Sequence, residues 1–100
     1  MIILHQEMRA VPEKCDEVMA ALTAIIPGAR GTKGVVKLDI ARDLSDPYAF
    51  VATGVYEDGA ALERQESAPE VQRAVALFAD ALAAPPDRRI YDASRDATLV

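Results

Sequence analysis

A hairpin in the middle of the chain, Gly34–Glu57, most constrains what this sequence can fold into. Residues 35–42 alternate apolar and polar side chains, which is typical of a strand that is buried on one face. Residues 43–47 (DLSDP) are turn-forming types, and residues 48–56 are rich in aromatic and β-branched side chains. Two such strands with a short polar connection predict an antiparallel hairpin. The inward positions predicted for its first strand are Val36, Leu38 and Ile40.

Before the hairpin, the sequence predicts a strand and then a helix. The strand is Ile2–Arg9; Val11-Pro12 ends it, and Pro12 suits the first turn of a helix because its missing N–H is not needed there. Apolar residues recur at helical spacing over Glu13–Ile26, which predicts a helix that lies on a sheet and ends at Pro27-Gly28. The residues of this apolar stripe are Cys15, Val18, Met19, Leu22, Ile25 and Ile26.

After the hairpin, the sequence predicts a bent helical region and a last strand. Ala60–Glu66 forms a short helix, and Ser67-Ala68-Pro69-Glu70 matches a capping box that begins a second helix. That helix is predicted to run to about Ala83, where Pro85-Pro86 follows, and Arg88–Ala93 is the fourth strand. Its predicted inward residues are Val71, Ala74, Val75, Phe78 and Leu82.

The order strand–helix–strand–strand–helix–strand predicts an α+β fold of the ferredoxin-like type. In this βαββαβ arrangement, four antiparallel strands form one sheet and both helical regions cover one face. A chain of 100 residues is the size of one domain, so residues 1–100 are expected to form a single unit. The tail, residues 93–100, ends in Leu99 and Val100 and is expected to pack against something, such as a partner chain.

The face of the sheet away from the helices predicts a homodimer. It carries a mixture that is too apolar to remain in water over four strands. Pairing two such faces around a two-fold axis would bury them and give a dimeric α/β barrel. The residues predicted on this face are Ile3, Val35, Val51, Thr53 and Val55, beside His5, Lys37 and Asp39.

Composition excludes several classes of function. The net charge of −5 and the scattered acidic residues do not form the basic stripe that nucleic-acid binding needs. The start of the chain does not resemble a signal peptide, and no window approaches the roughly 20 apolar residues of a membrane helix. A single Cys15 fits a reducing compartment, so a cytoplasmic protein is expected. The sequence contains no Gly-rich phosphate loop, no Cys/His metal cluster and no Ser–His–Asp set.

These landmarks together resemble the antibiotic biosynthesis monooxygenase family of dimeric α/β barrels. They are the strand that ends in Val11-Pro12, the segments GVVKLDIARD and DLSDPYAFV, the segment VYEDGAALERQESAPEVQ, and the last strand RRIYDA. The resemblance extends over nearly the whole chain. It implies a pocket between sheet and helices and, for the family's oxygenases, no flavin, haem or metal prosthetic group, because the electron-rich aromatic substrate itself reacts with oxygen.

The resemblance also locates candidate site residues. Haem-degrading relatives carry an Asn, a Trp and a His at positions that fall here on Gln6, Gln65 and Val75, and because Val75 cannot ligate iron, haem degradation is not expected. Other members carry a His at Gln65 and a Trp at Tyr56. We therefore expect Gln6 and Gln65 to bind substrate oxygens, Tyr56 to exchange a proton, and Leu38, Phe78 and Val75 to line the apolar wall.

Each of these residues also has a purely structural interpretation. Gln6 could bond a structural partner, Gln65 could lie on the helix surface, and Tyr56 could be a core aromatic with its hydroxyl at the rim. His5 has the chemistry of a general base, but its strand parity directs it to the dimer face. Cys15 is expected to be a small buried hydrophobe, and Arg42, Asp43 and Asp46 to stabilise the turn. Arg88 and Arg89 are expected to form a solvated edge of the last strand.

Three functions fit the sequence. The first is cofactor-independent oxygenation of a small phenolic, quinol or polyketide-like substrate. The second is a non-catalytic ligand-binding or regulatory dimer with the same fold. The third is isomerisation of a small polar metabolite, which would need charged residues in the pocket. The sequence indicates no convincing general base inside the pocket, and this is the main difficulty for the first function.

Overall fold

The computed structural model describes residues 1–93, and its elements follow the predicted order. The predicted tail lies, from residue 94 onward, outside the described residues. A single turn of 3-10 helix, Pro12–Lys14, precedes the first α-helix. The other elements are β1 (Ile2–Arg9), α1 (Cys15–Arg30), β2 (Val35–Arg42), β3 (Ala49–Tyr56), α2 (Gly59–Glu66), α3 (Pro69–Ala81) and β4 (Asp87–Asp92).

The four strands form one antiparallel sheet in the order β2-β3-β1-β4, with the helices on one face. This is the predicted α+β, ferredoxin-like fold. The hairpin supplies two of the four strands, and β1 lies between β3 and β4 at the centre of the sheet. Opposite Gln6, the register places Ala52 on β3 and Arg88 on β4, so these three residues share the helix-facing side.

The register of the hairpin differs from the predicted one at its first residues. Val35 pairs with Tyr56 and Lys37 with Val55, so Val36 is an extra residue that forms a bulge. Val36 was predicted to point inward but is about half exposed. Val35 was predicted on the open face but packs against the core beneath the helices. The inserted residue reverses the face of every position before it, which simple alternation could not indicate.

The core lies between the helix-facing side of the sheet and the helices. Buried residues of α1 and α3 pack on Met8, Leu38 and Phe50, while α2 packs with Leu4 and Tyr56 in a smaller cluster. The predicted stripe of α1 is only partly buried, because Met19 is 39% exposed and Ile26 is half-buried. The buried residues of α1 are Cys15, Val18, Leu22, Ile25 and Ala29.

The prediction that α1 ends at Pro27-Gly28 is wrong, because the helix continues through Pro27 to Arg30. Tertiary contacts hold the last turn. Ala29 is buried in the core, and the Arg30 guanidinium donates to the Leu38 carbonyl oxygen at 3.1 Å. The Thr32 hydroxyl also donates to the Gly28 carbonyl oxygen at 2.8 Å. These contacts offset the backbone hydrogen bond that proline removes.

The helical region breaks between α2 and α3 as predicted, but the predicted capping box does not form. Ala68 is the N-cap of α3, without a side-chain cap, and Pro69 occupies its first turn. The Ser67 hydroxyl donates back to the Glu63 carbonyl oxygen at 2.8 Å and so closes the end of α2. The Asp58 carboxylate, which accepts from the Ala61 N–H at 2.9 Å, caps the start of α2.

The turn of the hairpin is stabilised by its own carboxylates, as predicted. Asp43 accepts from the N–H and the hydroxyl of Ser45, both at 2.7 Å. Asp46 accepts from the Tyr48 N–H at 3.0 Å and from the Arg9 guanidinium at 2.8 Å. These donors favour the ionised carboxylates and lower the pKa of both aspartates.

Candidate functional site

A cavity lies between the sheet and the helices, at the place where the chain was expected to hold a pocket. It encloses about 530 Å³ of empty space when its open mouth is counted, of which about 70 Å³ can hold the centre of a water molecule. That is room for a few waters or one small ring, so a larger ligand has to move side chains at the mouth. Its apolar lining consists of Leu4, Met8, Leu22, Ile25, Leu38, Ile40, Ala52, Val71, Ala74, Val75 and Phe78.

The inner wall of the cavity, which we define by Gln65 and the Tyr56 side chain behind it, carries buried polar atoms. Gln65 lies in α2 and is 5% exposed. Among the described residues, it is the one amide or charged side chain that is buried. Tyr56, at the end of β3, is fully buried, and its hydroxyl lies over Gly54, where a Cβ would come within 2.3 Å of it. Within residues 1–93, neither the Tyr56 hydroxyl nor the Gln65 Oε1 has a hydrogen-bond partner.

The surroundings of the Tyr56 hydroxyl favour its neutral form. Burial raises the pKa of the phenol above its ordinary value, because the charged form loses hydration. The Gln65 amide is close enough to lower the pKa of Tyr56 in part, although the two groups do not meet hydrogen-bond geometry. Smaller opposing effects come from the charges of Glu66, which raises the pKa, and Arg88, which lowers it.

The mouth of the cavity, which we define by Gln6, Glu66 and Arg88, is polar, and Arg88 joins the other two side chains by hydrogen bonds. The Arg88 guanidinium donates to Glu66 Oε1 at 2.5 Å and to Gln6 Oε1 at 3.3 Å. The Gln6 amide nitrogen in turn donates to the Met8 sulfur at 3.4 Å. Both charged side chains are about one-third exposed. The mouth therefore links β1, β4 and the end of α2 through one chain of polar contacts.

Five of the six residues predicted for the site lie around this one cavity. Gln6 is at the mouth, Gln65 is in the inner wall, and the predicted apolar wall residues Leu38, Phe78 and Val75 all line the space. Val75 was predicted to point inward, yet it is 54% exposed, because it sits at the open side of the cavity. Tyr56 is fully buried and, although it lies close to Gln65, it does not line the cavity.

Sequence reasoning missed two residues of the mouth. Arg88 was read as part of a solvated strand edge, but it lines the cavity and holds Gln6. Pairing β4 against β1 residue by residue would have found it, because Arg88 lies directly opposite Gln6. Glu66 supplies a carboxylate, the group that the sequence had not placed in the pocket. Its position at the last residue of α2 carries no signal of a site in the sequence alone.

The structure places His5 and Cys15 where their structural interpretations predicted them. His5 pairs across the sheet with Thr53 and Arg89, on the face away from the helices, and its ring lies 3.3 Å from Glu7 Oε1. Cys15 is 7% exposed in the core. Among the described residues, no three His, Cys, Asp or Glu side chains gather closely enough to hold a metal ion. In the same part of the chain, no helix has the length and apolarity that crossing a membrane requires.

The family comparison agrees with the landmarks in the sequence. The model of the family described as antibiotic biosynthesis monooxygenase matches residues 1–77. This range contains β1 to β3, α1, α2 and most of α3, and therefore every cavity residue except Phe78 and Arg88. A search of the curated proteins finds no significant match.

Solved structures resemble the chain over nearly its full length. The Mycobacterium tuberculosis protein Rv0793 is 18% identical, with a TM-score of 0.88 over 97% of this chain and 98% of that one. A crystal structure of an antibiotic biosynthesis monooxygenase is 22% identical, with a TM-score of 0.85 over 95% and 100%. PA3566 from Pseudomonas aeruginosa is 23% identical, with a TM-score of 0.80 over 96% and 94%. At these identities the likeness concerns the fold.

Proposed function

The chain belongs to the antibiotic biosynthesis monooxygenase family, and on that basis we propose that it binds a small aromatic molecule in the cavity and oxygenates it without a resident cofactor. The observation that carries the proposal is an apolar cavity with polar groups at two ends, the buried Gln65 amide and the mouth formed by Gln6, Glu66 and Arg88. Apolar walls suit an aromatic ring, and a few placed polar groups suit its oxygens.

The proposed substrate is a phenol, a quinol or a polyketide-like ring system that supplies its own electrons. In the simplest case, a ring carbon with two hydrogens reacts with O₂. One oxygen atom becomes a carbonyl oxygen on that carbon, and the other leaves as water with both hydrogens. The substrate is oxidised and O₂ is reduced, so the reaction balances without an external reductant. The protein would bind the ring, orient it, and accept the first proton.

Glu66 is our candidate for the group that accepts the proton. It is the carboxylate that lines the cavity in the described part of the chain, and it lies at the end where the substrate would enter. Arg88 would stabilise the negative charge that develops on the substrate oxygen as the proton leaves. Gln6 and Gln65 would orient the substrate oxygens. The catalytic role predicted for Tyr56 stays a prediction, because the phenol does not line the cavity.

One observation favours a second function, the binding of a ligand without turnover. Glu66 already accepts a hydrogen bond from the Arg88 guanidinium at 2.5 Å, so its carboxylate is not free to meet a substrate. For the oxygenase, an arriving substrate must separate this pair. In a binding or regulatory protein the pair would simply close the mouth. The isomerase needs charged residues in the pocket, which this pair supplies, but its reaction would consume no oxygen.

We also propose that two copies pair through the open face of the sheet. Ile3, Val51 and Val55 lie there half-buried, and Tyr91 at the edge is half exposed. Charged pairs stand around them, including Lys37 with Asp39 at 3.2 Å. An apolar centre with a polar rim is the usual composition of an interface between copies. Light scattering should give twice the mass of the chain, and Val55→Asp should reduce it to one copy; a stable wild-type monomer would contradict the proposal.

The experiment that tests oxygenation compares oxygen uptake with a panel of quinols and anthrones, with and without the protein. We expect uptake above the spontaneous rate with at least one substrate, and labelled O₂ should deliver one atom to the product. Glu66→Gln should abolish uptake but retain binding, whereas Glu63→Gln, an exposed position in the same helix, should change neither. Measured binding without oxygen uptake from any substrate would instead support the ligand-binding protein.

A further inference from the structure

The two amides of the cavity differ in how their oxygens are used. Gln6 Oε1 accepts from the Arg88 guanidinium at 3.3 Å, so it already has a donor within the protein. Gln65 Oε1 is buried and, in the described residues, accepts from no donor. Leaving an amide oxygen without a donor in an apolar environment is unfavourable, and buried polar groups in folded proteins nearly always have a partner.

The surroundings of Gln65 do not provide that partner. The Tyr56 hydroxyl lies close enough to the Gln65 amide to influence the phenol's pKa, but it too lacks a hydrogen-bond partner within residues 1–93, because the two groups do not meet bonding geometry. Tyr56 cannot move toward the sheet, because its ring fills the space over Gly54, where a Cβ would come within 2.7 Å of two ring carbons. Gln65 lines the cavity, so a ligand there is the remaining source of a donor, and the amide has to turn its buried oxygen toward that ligand.

We infer that Gln65 Oε1 is the atom that selects the ligand, and that it requires an O–H or N–H donor at the ligand's inner end. The inference rests on the proposed function, since it concerns the same cavity. The ligand class it names is narrower: an aromatic ring whose inner substituent is a neutral hydroxyl or amine rather than an ether, a carbonyl or an ionised phenolate. Those three groups only accept hydrogen bonds and would leave Gln65 Oε1 without a donor.

The preference of Gln65 for a ligand that carries a donor should be strong, because the lining of the cavity is apolar. A site built to hydrogen-bond a ligand hydroxyl discriminates sharply against the analogue that lacks it, since the buried group of the protein is then left unpaired. Transfer from water into the apolar cavity favours the analogue instead, because a methyl group leaves water more readily than a hydroxyl group does. The two effects can therefore be separated by comparing ligands of equal shape.

The test compares 4-methylphenol with para-xylene, in which a methyl group replaces the hydroxyl. Binding is measured by calorimetry or by NMR titration of the wild-type protein, Gln65→Met and Gln6→Met. We expect the wild type to bind 4-methylphenol at least about tenfold more tightly than para-xylene. Gln65→Met, which keeps the length of the side chain, should abolish or reverse this preference. Gln6→Met should retain it, because the Gln6 oxygen is already occupied by Arg88.

The outcomes separate this inference from the proposed function. Binding of both compounds with equal affinity, or a preference that survives in Gln65→Met, would overturn the role of Gln65 while leaving the cavity as the binding site. Failure of every aromatic compound to bind would overturn the proposed function itself. Para-xylene that still binds to Gln65→Met shows that the variant folds and keeps its cavity, so a lost preference cannot be ascribed to unfolding.

Discussion

The inner wall and the mouth of the cavity use the same kinds of side chain in opposite ways. Each contains one glutamine. At the mouth, Gln6, Glu66 and Arg88 satisfy one another and remain partly exposed. At the inner wall, Gln65 is buried with an oxygen that accepts from no donor in the described chain. The difference indicates that the mouth is stable without a ligand and has to open, whereas the inner wall is complete only when a donor arrives.

The two regions also differ in their backbone support. The inner wall stands on the end of β3, an interior strand of the sheet, and on α2, where Tyr56, Ala61 and Leu62 are buried together. The mouth stands on β4, an edge strand whose residues are all exposed, and on the last residue of α2. Changes at the inner wall should therefore affect folding and selectivity, and changes at the mouth should affect entry and turnover. The following predictions test that division.

The largest expected effect is on stability at the inner wall. Gly54→Ala would place a Cβ 2.3 Å from the Tyr56 hydroxyl and 2.7 Å from two ring carbons, so the ring must shift. Forcing such a shift in a packed core costs about 1–3 kcal/mol of unfolding free energy. Chemical denaturation of the variant measures it. In a Tyr56→Ala background the same change should cost almost nothing, and an unchanged cost there would contradict the packing argument.

The second prediction contrasts the two amides. Gln65→Leu should weaken binding of a hydroxyl-bearing ligand by at least about tenfold, yet leave the unfolding free energy within about 1 kcal/mol, because it removes a buried polar group that lacks a partner in the described residues. Gln6→Leu should weaken binding less. Calorimetric titration and denaturation measure both quantities. Unchanged binding in either variant would remove that residue from the site, and strong destabilisation by Gln65→Leu would point to a structural role.

These two predictions show what the sequence could and could not reveal. Strand alternation was enough to place Gln6 and Leu38 on the helix-facing side, because the period of a strand is strict. It failed at Val36, where one inserted residue changes the face of Val35. The contact of Gln6 with Arg88 depends on the register between strands about 80 residues apart, which local patterns do not determine.

In the helices, too, local sequence predicted some features, whereas contacts with distant residues determined others. Local signals located the start of the helical regions and the break between α2 and α3. Pro27 was misread as a stop because the contacts that hold the last turn of α1, those of Ala29 and Arg30, come from the core and from β2. Ser67 matched a capping pattern, but the N-cap of α3 is Ala68, and the Ser67 hydroxyl donates to the Glu63 carbonyl oxygen at the end of α2.

The third prediction concerns the mouth. Arg88→Met should change the unfolding free energy by less than about 1 kcal/mol, because the ion pair with Glu66 is partly exposed and such pairs contribute little. It should, however, release Glu66 and speed the entry and exit of ligands, which stopped-flow measurements would detect. Arg89→Met, whose side chain lies on the opposite face of β4, is the matched control and should leave ligand kinetics unchanged. Equal effects of the two variants would contradict the assignment of the mouth.

The smallest effect is expected in alkaline solution. The pKa of Tyr56 is raised in the folded state, so its contribution to stability is complete below about pH 10 and decreases as the pH rises through the folded-state pKa. Denaturation of the wild type and Tyr56→Phe between about pH 8 and pH 11 should show a steeper decline for the wild type. Parallel curves for Tyr56→Phe and the wild type would show that the phenol is not held neutral by burial.

The most direct test of the account is to locate a bound aromatic by methyl NMR. The central claim is that the cavity, and not the open face of the sheet, takes the ligand. On titration with 4-methylphenol, ring currents should shift the methyl signals of Leu4, Leu22, Leu38 and Ile40, which line the cavity. The methyl signals of Ile3, Val51 and Val55 should stay in place. Shifts confined to those three open-face residues, or no saturable shift at all, would contradict the claim.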